Sequence, residues 1–134
     1  MISRTALAAA AGGALALSAC GVTGPAHTVP PPPAVAATVT MGMTSFEPAA
    51  VRIRPGQTVQ WRNTSLVTHT VTADHRLAAN PANVVLPPGA APFHSGSVAA
   101  GQVWSYRFTM PGTYRYVCLP HERAGMVGTV IVDP

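Results

Sequence analysis

The chain of 134 residues and 13.8 kDa has room for one folded domain and no more. Charged residues make up 9% and apolar residues 48%, which excludes a disordered polyelectrolyte. All eight basic residues are arginine, set against four acids for a net charge of +4, and they form no run. No nucleic-acid footprint is expected from so scattered a pattern.

In chain order, Arg4 supplies one positive charge, and Thr5 to Ala19 is an unbroken run of small and apolar residues. Such a run is too short to span a bilayer and reads as a signal peptide. It closes on Leu17-Ser18-Ala19-Cys20, which resembles a bacterial lipobox. The resemblance implies cleavage before Cys20 and lipid attachment to its thiol. Residues 1–19 are therefore expected to be a lipoprotein-type signal, 20–37 an anchored cysteine with a linker, and 38–134 the folded domain. Pro25 and the run Pro30-Pro31-Pro32-Pro33 favour extended polyproline II. That stalk can reach roughly 50 Å from a membrane. Export to the bacterial cell envelope, on the periplasmic or extracytoplasmic face, follows. Losing Arg4 with the signal leaves seven arginines against four acids, a charge of +3.

From Val35 onward the pattern is β. Val51-Arg52-Ile53-Arg54 alternates, Pro55-Gly56 turns the chain, and Thr58-Val59-Gln60-Trp61-Arg62 alternates again. Val103 to Phe108 places Trp104, Tyr106 and Phe108 on one face, and Tyr114 to Cys118 repeats the alternation after Pro111-Gly112. Met126 to Val132 is nearly continuous in β-branched residues, which predicts a strand buried on both sides. Ala73 to Pro92 lacks alternation and is expected to be a long irregular loop. An all-β sandwich of about seven to eight strands is expected, with Trp61, Trp104, Tyr106, Phe108, Tyr114 and Tyr116 in its core.

The chemistry gathers in Cys118-Leu119-Pro120-His121-Glu122-Arg123-Ala124-Gly125-Met126. A thiolate, an imidazole and a thioether in one loop are soft and borderline donors, and one further imidazole completes a copper site with a weak axial Met. His69 is the best candidate for it, because it follows a strand end. Singly, each residue has an ordinary structural explanation: Met126 as core, Cys118 as a small hydrophobe, His69 as a satisfied strand residue. Jointly, in an exported chain with Cys118 as its one core cysteine, they point to metal. His27, His75 and His94 are expected to be exposed and unliganded. Met41 and Met43 are too few for a methionine-rich Cu(I) site.

At these residues the sequence resembles the cupredoxins, the small type 1 blue copper proteins. The Cys-x₂-His-x₄-Met spacing is similar to that of plastocyanins and pseudoazurins and longer than the amicyanin loop. The resemblance extends through Phe46-Glu47-Pro48, Asn63, Phe93-His94-Ser95-Gly96 and the closing Gly128-Thr129-Val130-Ile131-Val132. It implies a cupredoxin-like Greek-key β-sandwich with His69, Cys118, His121 and Met126 as ligands of one copper ion. Where plastocyanin-like chains usually carry Asn directly after the first histidine, this one has Thr70.

The expected function is one-electron transfer, cycling Cu(I) and Cu(II). Catalysis is not expected, because Glu47, Asp74, Glu122 and Asp133 form no acid–base pair with a nucleophile and no His-x-His repeats are present. The resemblance implies that His121 conducts through an apolar patch drawn from Leu119, Pro120 and Ala124, with Leu66 and Val67. A redox protein, cytochrome-like or an oxidase or reductase, is the expected partner of a monomer. The alternative is a copper chaperone or storage protein; a closed four-ligand set favours retention over delivery.

Overall fold

The computed structural model describes residues 34–134. The expected signal segment, Cys20, His27 and the proline run lie outside the described residues. Nine strands are present among the described residues: β1 (Val35–Met41), β2 (Phe46–Glu47), β3 (Ala50–Ile53), β4 (Gln57–Asn63), β5 (Thr72–Ala73), β6 (Phe93–His94), β7 (Val103–Phe108), β8 (Gly112–Val117) and β9 (Val127–Val132). They form two sheets, ordered β2-β1-β4-β7 and β3-β9-β8-β5-β6. Both sheets are mixed, because β1 runs parallel to β4 and β3 parallel to β9.

Alternation explains which side chains face inward. Along β4, Val59 and Trp61 are buried while Arg62 is exposed; along β8, Tyr114 and Tyr116 are buried and Thr113 is exposed. Two aromatic rings then tie the sheets together. The Trp61 indole N–H donates to the Tyr116 hydroxyl at 3.0 Å, and their rings meet edge to face at 5.4 Å. Both are wholly buried, each contributing on the order of 4 kcal/mol of hydrophobic transfer. Burial also pushes the Tyr116 hydroxyl far above its usual acidity range. Gly128 lies directly opposite Tyr116 in the β8–β9 ladder, where any Cβ would collide with the tyrosine ring.

The continuous apolar run at the end is half-buried rather than buried on both sides. β9 alternates, with Gly128, Val130 and Val132 inside and Val127, Thr129 and Ile131 partly open to solvent. Its flanks are covered by β3 and β8, but only one face meets the core. The long connection between β5 and β6 is more ordered than its composition suggests. It contains a 3₁₀ turn, Pro81–Asn83, capped by the Asn80 side chain, and Val85 pairs with Arg115 of β8.

Candidate metal centre

His69 stands just before β5, in a two-residue bridge to Val98: His69 N–H donates to Val98 O at 3.1 Å and Val98 N–H returns to His69 O at 2.8 Å. Cys118 directly follows β8, and the chain then turns through a 3₁₀ segment, Leu119–Ala124. Gly125 closes that turn at φ 83°, a left-handed conformation that suits glycine. Pro120 starts the turn, where its missing N–H goes unneeded. Met126 then re-enters the core, and Cys118 N–H donates to its carbonyl at 3.0 Å while Met126 N–H donates to His121 O at 3.2 Å.

This folding gathers three predicted ligand atoms. His69, Cys118 and His121 each offer one atom, all within 4.8 Å of one another. Each histidine turns Nδ1 to the Cys118 sulfur at 3.4 Å, and the two rings lie 4.9 Å apart. His69 and Cys118 are wholly buried, whereas His121 is partly open. Met126 is wholly buried within the same core cluster. Burial, then the nearby His121, hold the His69 imidazole below its usual basicity, which favours the neutral form that can bind a metal. Burial pushes the Cys118 thiol up, against hydrogen bonds from Thr70 and His121. A thiolate and two imidazoles at this spacing, sealed from water on one side, fit copper.

Behind these three side chains stand Asn63 and Thr70, which the sequence resemblance marks, and Ser65 and Glu122, which it does not. The Ser65 hydroxyl lies 2.8 Å from His69 Nε2 and 2.8 Å from Asn63 Oδ1. With Nδ1 turned to the cluster, Nε2–H donates to Ser65, and Ser65 donates to Asn63. Asn63 is itself pinned, since its amide donates to Val67 O at 2.8 Å and Val98 O at 2.9 Å. Thr70 works in the place expected for Asn: its backbone N–H donates to Cys118 Sγ at 3.4 Å and its hydroxyl accepts from Leu119 N–H at 2.9 Å. Glu122 carries no site signal in the sequence, yet it is buried. It accepts from Ala79 N–H at 2.7 Å, Asn80 N–H at 3.0 Å and the Asn83 amide at 2.9 Å. Burial alone raises its pKa, and these three donors outweigh that and hold it below the usual value. Of the other histidines, His75 and His94 are exposed as expected. Met41 is wholly buried core and Met43 is exposed, so they build no shared site.

Two packed sheets carrying a His–Cys–His cluster define a small copper-binding β-sandwich protein. The sequence comparisons agree. Residues 33–133 match the model for copper binding proteins of the plastocyanin/azurin family, and the chain belongs to that family. Plastocyanin of Scenedesmus fuscus is 37% identical over 93 residues, spanning 69% of this chain and 90% of the relative. Plastocyanin of Nostoc punctiforme is 34% identical over 95 residues, covering 69% of this chain and 67% of its own. Among solved structures, a reduced amicyanin variant superposes with a TM-score of 0.57 at 29% identity, covering 72% of this chain and 80% of that one.

Proposed function

We propose that this protein is a type 1 copper electron carrier of the cell envelope, with His69, Cys118, His121 and Met126 as its ligands. The observation that carries the reading is the convergence of one thiol and two imidazole nitrogens within 4.8 Å in a chain of this family. Copper, when bound, supplies a one-electron Cu(I)/Cu(II) couple. The chain supplies a setting that stays put: Ser65 and Asn63 orient His69, and Thr70 holds both the Cys118 sulfur and the Leu119 backbone. The Met126 backbone is pinned to Cys118 and His121, and its buried thioether would supply the weak fourth donor.

His121 is the partly open ligand and the route by which an electron leaves. The expected docking patch has exposed members in Pro120, Ala124 and Leu66, the last 91% exposed. Weak docking on so small a patch suits rapid release of a redox partner by a monomeric carrier. Burial of His69 and Cys118 favours retention of the metal over its delivery. The protein is not an enzyme on this reading, since the buried Glu122 carboxylate is committed to Ala79, Asn80 and Asn83. Cys20 is the lipid anchor and the proline run the stalk.

Loading the chain with Cu(II) should give an intense blue colour from thiolate-to-copper charge transfer, and Cys118→Ser should be colourless. A blue Cys118→Ser protein would overturn the ligand assignment. Full-length protein made in a bacterium should partition with membranes, and Cys20→Ala should release it or block processing. Wild type recovered soluble with Cys20 unmodified would remove the anchor.

A further inference from the structure

One line of hydrogen bonds leads from the Cys118 sulfur to the molecular surface. Thr70 meets the sulfur with its backbone N–H at 3.4 Å. The Thr70 oxygen receives Leu119 N–H at 2.9 Å and the Thr72 hydroxyl at 3.1 Å. The Thr72 oxygen lies 2.8 Å from His94 Nδ1. Thr70 and Thr72 are both buried, whereas His94 is exposed on β6, the edge strand of the second sheet.

The sheet register makes this alignment. Thr70 and Thr72 are two residues apart and so present to the same face. Thr72 pairs with His94 on one side and with Val117, the neighbour of Cys118, on the other. Each hydroxyl owns one hydrogen and two lone pairs. Leu119 N–H and the Thr72 hydroxyl both donate to the Thr70 oxygen and so hold the residue whose backbone N–H meets the sulfur. Thr72 spends its hydrogen on Thr70, so the remaining link requires His94 to donate from Nδ1–H. His94 and Thr72 thus fix Thr70 from the sheet edge, and with it the backbone N–H that faces the thiol.

We propose that Thr72 and His94 are positioning residues that set the electron density on the Cys118 sulfur from the edge of the second sheet. A hydrogen bond given to a thiolate draws density from it, weakens its donation to the metal and favours the reduced state. The relay rests on the copper reading above. It assigns a role to two residues outside the ligand set, one of them on the surface.

The test uses the copper-loaded full-length chain, with midpoint potential and the thiolate charge-transfer band as readouts. Valine matches threonine in shape, so a packing role for Thr72 predicts no change in Thr72→Val. The relay predicts a lower potential, by at most the about fivefold shift toward Cu(II) that losing one whole hydrogen bond to sulfur would give, roughly 40 mV at 59 mV per tenfold. Thr72→Ser, which keeps the hydroxyl, should restore the wild-type value. His94→Leu should shift it in the same direction by less. Unmoved potential and band in Thr72→Val, or equal shifts in the Val and Ser variants, overturn the relay. Should Thr72→Val not fold, an unmoved potential in the surface variant His94→Leu overturns it equally. A wild-type chain that binds copper without the blue band overturns the copper reading and the relay with it, whereas a blue chain with unshifted variants overturns the relay alone.

Discussion

His69 and His121 both turn Nδ1 to Cys118 at 3.4 Å, yet their surroundings differ in kind. His69 is wholly buried and held by side chains, with Ser65 on its far nitrogen and Asn63 behind Ser65. His121 is half-open and its loop is held by its own backbone, through Cys118, Met126 and Gly125. The first arrangement seals the cluster and depends on particular residues. The second leaves an edge toward solvent and depends on loop geometry, stapled from outside by Glu122. On the proposed copper reading, a site that must keep its metal and still exchange electrons needs one ligand of each kind.

The sharpest way to break this contrast is to remove the staple. Glu122→Ala should leave the donors of Ala79, Asn80 and Asn83 without their acceptor, at a cost of about 2 kcal/mol. That corresponds to a fall in Tm of roughly 10 °C for a domain of this size, read by thermal denaturation of the wild type and variant. The effect should be largest on the His121 side: amide exchange should quicken across 119–126 while residues 63–70 stay protected.

Ser65→Ala tests the buried side and should cost less, about 1 kcal/mol. Its signature is local. In the diamagnetic Cu(I) protein the His69 Nε2–H resonance should exchange faster with solvent, with the His121 resonances unmoved. Ser65→Thr should restore protection, because it returns the hydroxyl.

The smallest effect comes from Asp74 at the base of the long connection. The side-chain hydrogen bond from Arg76, helped by the Arg76 backbone N–H, lowers its pKa to about 2 from an ordinary 3.8. A depressed carboxyl adds stability that is fully present above its unfolded pKa and lost as pH falls through the folded one. That window runs from pH 3.8 down to about 2. Asp74→Asn should therefore be less stable than wild type at pH 6, and the gap in urea midpoints should narrow at pH 3. An unchanged gap would mean that the pair adds nothing across this window.

Much of this contrast could not be read from the chain. Local alternation exposes strands such as β4, β7 and β8, and the close spacing of Cys118, His121 and Met126 exposes the ligand loop. Ser65 reads as an ordinary turn serine until the fold bends it back on His69. Glu122 and its partners near residue 80 are about forty positions apart, and Thr72 meets His94 only through the β5–β6 register. Each of these depends on tertiary closure, which carries no local period. The error in β9 has a different cause: Val127 and Ile131 are apolar on a face that the core does not cover. A run of β-branched residues therefore cannot tell one buried face from two.

The place of β9 also has a kinetic consequence. It lies between β3 and β8, so the second sheet stays in two parts until residues 127–132 arrive. The parallel register of Val51 with Val130 closes a loop of most of the domain. Such distant pairing places folding in the slow range, milliseconds to seconds, typical of β-sandwiches. Before that closure the Cys118 N–H lacks its acceptor, because that carbonyl belongs to Met126, one residue ahead of β9. The backbone around Cys118 is therefore secured only when residues 127–132 bring the two parts of the second sheet together.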